Sequence, residues 1–117
     1  MFREYLHVER FGNEAVEGIE LGKVYVFPKL DGTNASVWSD DWESDDQATI
    51  KAGSRTRMLS RDADNAGFMD WAVKYANPIQ GLFCDESFRH LRLYGEWLVP
   101  HSFKGYRPEA WRQFYVF

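Results

Sequence analysis

A lysine followed closely by an aspartate and a glycine is the clearest candidate for chemistry in this sequence. The run Lys29-Leu30-Asp31-Gly32-Thr33-Asn34 lies between two predicted strands, so the Lys29 amine is presented at a defined point. An amine can attack phosphorus once it is deprotonated, and burial or neighbouring cations lower the pKa of a lysine. The glycine-containing turn can bring backbone N–H groups close to a bound phosphate. A hairpin turn with a surface lysine gives the same pattern, so the motif alone leaves both interpretations open.

Basic residues follow a later predicted strand. In Gly53-Ser54-Arg55-Thr56-Arg57 the two arginines can fork onto phosphate or ribose oxygens. With Lys51 and Arg61 they give residues 51–61 a charge of +4, whereas residues 40–46 (DDWESDD) carry −5. The acidic run is typical of a solvated loop tip. The basic run is the candidate for phosphate contact, with a solvated basic loop as the alternative.

A single carboxylate interrupts an otherwise apolar strand near the end of the chain. In LYGEWL, strand alternation places Tyr94, Glu96 and Leu98 on one face. Glu96 therefore faces either solvent or a pocket, and Gly95 beside it would let a ligand approach the backbone. The last residues, Phe114–Phe117, are aromatic-rich, and a ring on a strand can stack on a base or, more commonly, pack in a core.

The elements that must position these residues are mostly strands. Strands are predicted over 21–29 (LGKVYVFPK), 35–38 (ASVW), 48–53 (ATIKAG), 91–100 (LRLYGEWLVP) and 113–117 (QFYVF), with DGTN as a tight turn joining the first two. A helix is predicted over residues 66–76, capped by Asp62, Asp64 or Asn65 and ended by Asn77-Pro78. The first eleven residues predict a short helix or an irregular lead-in. The balance predicts an α+β fold with an antiparallel sheet.

Composition limits the class of protein. A chain of 117 residues with 44% hydrophobic and 17% aromatic residues is long enough for one folded domain and too apolar for a disordered chain. There is no apolar run long enough to cross a membrane and no signal-peptide pattern, which predicts a cytoplasmic protein. Cys84 stands alone and is interpreted as a small packing residue, and the net charge of −4 argues against nucleic-acid binding by bulk positive charge.

In their order along the chain, KLDGTN, SRTR, YGEWL and FYVF resemble the motifs of the covalent nucleotidyltransferase superfamily, which comprises ATP-dependent RNA ligases, DNA ligases and mRNA-capping enzymes. Within it, the set is most similar to RNA ligase 2-type ATP-dependent RNA ligases. The resemblance spans residues 29–117. It implies an antiparallel-sheet-rich nucleotidyltransferase fold of the ATP-grasp-like ligase kind.

The resemblance implies roles around the first motif. Lys29 is implied to be the nucleophile that takes AMP from ATP as a lysyl-phosphoramidate and releases pyrophosphate. Asp31 and Gly32 are implied to shape the adjacent turn, with Asp31 orienting the lysine or a hydrated metal. Asn34 is implied to contact the ribose or the water shell of that metal, and Mg²⁺ is expected on the phosphates.

The remaining motifs are implied to bind the nucleotide and RNA ends, including those of a nicked duplex. Arg55 matches an arginine that contacts the nucleotide sugar or the RNA end, and Arg57 is the alternative. Lys51 and Arg57 are the further candidates for RNA or phosphate. Glu96 is implied to hold the ribose hydroxyls, and Phe117 to stack on adenine, with Tyr115 as second choice. His101 is interpreted as structural rather than as an acid or base.

The family also uses a later glutamate-containing strand for metal and a later Lys-x-Lys strand for the triphosphate, and neither occurs up to Phe117. We therefore expect residues 1–117 to be the N-terminal portion of a nucleotidyltransferase domain, incomplete for catalysis alone and able to self-associate through an exposed sheet edge. An inactive module that binds nucleotide or RNA ends, a DNA ligase and a capping-type enzyme remain alternatives.

Overall fold

The computed structural model describes residues 1–40 and 49–117. In that part of the chain a four-stranded antiparallel sheet packs against two α-helices, which confirms the predicted α+β class. The elements are β1 (Thr33–Asp40), β2 (Thr49–Gly53), α1 (Phe68–Lys74), α2 (Ala76–Phe83), β3 (Arg92–Trp97) and β4 (Phe114–Val116). Short 3-10 helices lie at Glu14–Val16, Ile19–Leu21 and Pro108–Ala110.

The strands follow the order β2-β1-β3-β4, so β1 and β3 are central. On β1, Val37 lies opposite Ala52 of β2 and opposite Leu93 of β3. All four strands were predicted, but β1 is longer than the predicted run 35–38, whereas β2, β3 and β4 are shorter than theirs. Pairing stops where the neighbouring chain turns away, which the alternation of a single segment does not reveal.

One face of the sheet forms the core with the helices. Phe68 and Ala72 of α1 pack on the side chains of Ala35, Val37 and Trp97. Phe68 and Trp71 stack with ring centroids 5.5 Å apart, and both rings contact Phe114 and Trp97. The buried members of this core are Ala35, Val37, Ala52, Leu59, Phe68, Ala72, Trp97 and Val99. Every second side chain of β1 therefore points into the core, and the alternate side chains lie on the other face of the sheet.

The other face, which we call the open face, carries no helix but is partly covered by the N-terminal residues. We call Met1–Tyr5 the N-terminal strap. The Phe2 ring lies 6.3 Å from the Trp38 ring, and the Arg92 guanidinium stacks on Trp38 at 3.7 Å while binding carbonyl oxygens of the strap. The Tyr94 hydroxyl donates to the Arg3 carbonyl at 2.9 Å. Of the two predicted forms of this lead-in, the irregular one is observed.

The predicted strand over residues 21–29 is wrong. Residues 23–31 have no regular structure, and Val24, Tyr25, Val26 and Phe27 are exposed. The predicted hairpin with β1 cannot form because both edges of β1 are already paired, with β2 and with β3. Pro28 also lacks the N–H that a ladder requires. DGTN is accordingly no hairpin turn: β1 already begins at Thr33, and neither Asp31 nor Asn34 has positive φ.

The predicted helix is correct over its centre and wrong at its end. Two helices follow each other, with Tyr75 between them, and Pro78 lies in the first turn of α2 instead of ending α1. A proline fits there because the N–H groups of a first helical turn have no partner within the helix. Among the predicted caps, Asp64 accepts a hydrogen bond from the Met69 N–H at 2.7 Å.

Some expectations concern the surface. Cys84 is exposed at the end of α2, so its interpretation as a packing residue is wrong. Apart from Asp40, which ends β1, the acidic run lies outside the described residues. No helix in the described ranges has the length and apolar character to cross a bilayer.

Candidate functional site

Strand register brings several predicted site residues to the open face. Asn34 of β1 lies directly opposite Glu96 of β3, and Glu96 lies opposite Tyr115 of β4. Directly paired residues share a face of a sheet, so the three side chains form one row across the strands. By the same parity Lys51, which pairs with Trp38, also belongs to the open face. Residues from three separate motifs thus meet on one surface.

The Glu96 carboxylate is bound to the lysine motif. Its Oε1 atom accepts a hydrogen bond from the Gly32 N–H at 2.9 Å, over a sequence separation of 64 residues. A hydrogen bond to a charged group is roughly twice as strong as one between neutral groups. This bond fixes the KLDG motif on the edge of the row formed by Asn34, Glu96 and Tyr115.

Two motif glycines are required by close backbone packing. A Cβ atom on Gly32 would lie 2.3 Å from the Trp97 carbonyl oxygen, and one on Gly95 would lie 2.3 Å from the Tyr115 carbonyl oxygen. The expectation that Gly95 leaves room for a ligand is therefore wrong, because β4 fills that space. Gly32 lets the lysine motif lie against β3.

Asp31 is held by a distant segment of the chain. Its carboxylate accepts the Phe103 N–H at 2.5 Å and lies 3.1 Å from Nδ1 of His101, and its own N–H donates to the Tyr106 hydroxyl at 2.9 Å. The Phe103 N–H is the largest influence and lowers the pKa of the Asp31 carboxyl; burial acts in the opposite direction, and His101 adds to the lowering, so that the pKa lies below its usual value. With Gly32 bound to Glu96, the amide groups at 31 and 32 are directed to side chains and do not form the expected phosphate cradle.

Lys29 is exposed, two residues before Asp31. No hydrogen bond or ion pair joins its amine to the residues that the structure describes. The amine is therefore accessible to a ligand, while the backbone just after it is anchored.

Asn34 has a buried acceptor that lacks a donor. Its Oδ1 atom is inaccessible to solvent and has no hydrogen-bond partner within the described residues. Leaving a buried polar atom unpaired costs about 1–3 kcal/mol, so such an atom calls for an explanation. Because solvent does not reach this atom, the Asn34 side chain must turn outward before a ribose hydroxyl or a metal-bound water can supply the missing donor.

The fit to Mg²⁺ can be judged from these acceptors. The described residues contain no group of three or more His, Cys, Asp or Glu side chains that could enclose a cation. Mg²⁺ in nucleotide sites usually keeps several waters and is held largely by substrate phosphates. Asn34 and Glu96 fit that arrangement as acceptors for metal-bound water, whereas both Asp31 oxygens are already bound by His101 and Phe103.

The two candidate arginines differ in their partners. Arg57 donates to the carbonyl oxygens of Ala63 and Asp64, at 2.5 and 2.9 Å, and so ties together the loop that leads into α1. Arg55 is exposed, and its guanidinium has no partner among the residues of the described part. Arg55 is thus available to a ligand, whereas Arg57 already has a role within its own loop.

The aromatic candidates at the end of the chain also differ. The Phe117 ring is 61% exposed and lies 5.1 Å from the Tyr5 ring, which in turn lies 5.1 Å from Tyr94. Tyr115 is half-buried, and its hydroxyl donates to the Ala110 carbonyl at 3.1 Å. Of the two, Phe117 has the ring face more open to a base.

The sequence reasoning missed Tyr106 and the link between His101 and Asp31. Tyr106 and His101 lie 75 and 70 residues after Asp31, and neither of these two belongs to a motif. The only signal was a run of aromatic and polar residues after GEWLVP. A depression lined by Ile50, Met69 and Ala72 lies on the helix side of the sheet and contains no predicted site residue.

Comparison with known proteins shows which family the chain belongs to. The RNA ligase family model matches residues 22–117, which is well over half of the chain and includes every candidate residue above. No curated protein and no solved structure was found to match. The match over this length, together with the meeting of Asn34, Glu96 and the lysine motif at one edge of the sheet, leads to one conclusion: the chain belongs to the RNA ligase family.

Proposed function

We propose that residues 1–117 form the N-terminal portion of an ATP-dependent RNA ligase domain, which makes a lysyl-AMP intermediate at Lys29 and seals RNA ends. The observation that carries this proposal is the hydrogen bond between Gly32 and Glu96. It ties the backbone three residues after the exposed lysine to the carboxylate that would hold the nucleotide sugar. The family match supports the same reaction class.

In the first step the Lys29 Nζ atom, having lost its proton, attacks the α-phosphorus of ATP. An N–P bond forms, the bond from phosphorus to the bridging oxygen of pyrophosphate breaks, and pyrophosphate leaves. The step is an in-line displacement, so the protein contributes position and charge stabilisation more than covalent chemistry.

The nucleotide would lie along the open-face row. Glu96, and Asn34 after its buried Oδ1 atom turns outward, accept hydrogen bonds from the ribose hydroxyls or from water on Mg²⁺, and the exposed Phe117 ring stacks on adenine. Base stacking on an aromatic ring contributes about 1–3 kcal/mol. Because the Tyr5 ring already contacts Phe117, the base must either share that ring or displace the N-terminal strap.

AMP then passes from Lys29 to the 5′-phosphate of an RNA end, and a 3′-OH attacks that phosphate and releases AMP. Arg55, with its free guanidinium, is the better candidate for the phosphate or sugar, and Lys51 on the open face is a second cation. Mg²⁺ would neutralise charge on the departing pyrophosphate. We place the reaction in the cytoplasm.

The test is adduct formation with ATP and Mg²⁺ by the chain together with any coding sequence that follows Phe117, read by intact-protein mass spectrometry and peptide mapping. We expect AMP on Lys29, which Lys29→Ala abolishes while Lys23→Ala, a change of another exposed lysine, does not. The thermal unfolding midpoint should stay the same in both variants because neither side chain is buried.

Other results of these experiments would favour one of the alternative functions. Labelling by GTP in place of ATP points to capping-type chemistry, and joining of nicked DNA but not RNA points to a DNA ligase. ATP binding that survives Lys29→Ala, when the unaltered chain also forms no adduct, identifies an inactive binding module. The same absence of adduct in a chain that includes any coding sequence after Phe117 contradicts the ligase proposal.

A further inference from the structure

One segment after β3 converges on Asp31. We call His101–Tyr106 the 101–106 segment. The His101 ring, the Phe103 N–H and the Tyr106 hydroxyl all bind Asp31, and Ser102 Oγ lies 3.1 Å from His101 Nδ1. An irregular segment therefore makes both side-chain and backbone contacts with a residue two positions after the proposed nucleophile.

The Tyr106 hydroxyl is positioned by the packing of its ring. The Tyr106 ring is half-buried between two aromatic neighbours, Phe103 at 4.7 Å and Trp111 at 5.2 Å, and meets both edge-on at 81°. A ring fixed on both sides keeps its hydroxyl at one position. That position is 2.9 Å from the Asp31 nitrogen.

Two consecutive amides of the lysine motif thus have anchors from different parts of the fold. Tyr106 holds the N–H of Asp31, and Glu96 holds the N–H of Gly32. The two peptide units that flank the Asp31 Cα atom are therefore each held through their N–H group. Only the short stretch from Lys29 to Asp31 is left to vary.

We propose that Tyr106 is a positioning residue for Lys29, which acts by fixing the Asp31 backbone and does not touch the nucleotide. The inference rests on the proposed function, since it assigns Lys29 the role of nucleophile. Attack on phosphorus needs the amine within a narrow range of distance and angle, and a misplacement of about 1 Å can cost about 100-fold in rate. ATP binding through the open-face row does not depend on Tyr106.

The test is Tyr106→Phe in the full chain, which removes the hydroxyl and keeps the ring packing. We expect the kcat for lysyl-AMP formation to fall between about tenfold and about 100-fold, with the KM for ATP changed by less than about twofold. Tyr75→Phe is the matched control, because Tyr75 lies at the junction of α1 and α2, and it should leave both constants unchanged.

A second measurement is independent of catalysis. Amide hydrogen exchange by NMR should be faster at Asp31 in Tyr106→Phe than in the unaltered chain, with no change in the thermal unfolding midpoint or in exchange within β1. If no adduct forms in the unaltered chain extended by any coding sequence after Phe117, the proposed function fails, and the exchange rate alone then decides whether Tyr106 fixes this backbone. Unchanged exchange at Asp31, or a rise in KM with kcat preserved, overturns the proposal.

Discussion

At the residue scale, the lysine motif is defined by what its neighbours do to the backbone. The amides of Asp31 and Gly32 bind Tyr106 and Glu96, and Gly32 lies so close to the Trp97 carbonyl that no side chain fits. The glycine therefore serves the fold by allowing the motif to reach β3. The nucleophile proposed at Lys29 gains its position from this contact.

Substitution of Gly32 tests that contact. Gly32→Ala places a Cβ atom 2.3 Å from a backbone oxygen, and relieving the clash must move the motif or β3. We expect a loss of about 1–3 kcal/mol in the free energy of unfolding, measured by urea denaturation, together with loss of the Lys29 adduct. Gly81→Ala is the control, since nothing lies within 4 Å of the added carbon, and alanine in helix α2 should stabilise by about 0.5–1 kcal/mol. Equal stability of the two variants would contradict the packing argument.

At the scale of elements, the N-terminal strap closes part of the open face. Its hydrogen bonds to Arg92 and Tyr94 and its ring contact with Trp38 cover a surface that no helix covers. The Met1 ammonium also lies 3.3 Å from Asp40 at the end of β1. The strap is therefore held by charge as well as by packing.

The strap should loosen in acid. Burial alone would raise the pKa of Asp40, but hydrogen bonds from the Trp38 indole and the Met1 ammonium outweigh burial and lower that pKa. A carboxyl with a depressed folded pKa stabilises the fold above its unfolded value, and this contribution is lost as pH falls through the folded pKa. We expect the stability difference between the unaltered chain and Asp40→Asn to be constant at neutral pH and to shrink below about pH 4, in urea denaturation at a series of pH values. A difference that grows on acidification would contradict this assignment.

At the scale of the whole molecule, apolar surface remains exposed beside the sheet. Val26 and Phe27, in the extended segment before Lys29, are 91% and 79% exposed, and β2 and β4 form the outer strands of the described sheet. Exposed strand edges and apolar side chains favour association with another chain. Self-association therefore remains a prediction, with a structural location.

Light scattering after size-exclusion chromatography, over a range of protein concentrations, tests the predicted self-association. We expect the apparent mass to rise with concentration, and Val26→Lys to reduce that rise by adding a charge to the apolar segment. Leu6→Lys, which adds the same charge at another residue that is 83% exposed, should have little effect. A constant monomer mass at every concentration would show that the exposed segment does not mediate association.

The sequence by itself determined the strands of the sheet and the motifs of the candidate site. Strand alternation is a local property, so the centres of β1 and β3 and the shared face of Tyr94 and Glu96 follow from residue order alone. The motif order also indicated the family to which the chain belongs. The roles of Lys29, Glu96 and Phe117 in the reaction stay predictions.

Only the tertiary structure decided which local preferences are realised. Residues 21–29 have strand-forming side chains, yet both edges of β1 are occupied, so they have no partner there. Arg55 and Arg57 have the same side chain, but only Arg57 meets carbonyl groups that bind it. Tyr106 reaches Asp31 across 75 residues of sequence. Pairing, partner choice and contacts between distant segments depend on how the whole chain packs, because each group can bind only what the fold brings within hydrogen-bond distance.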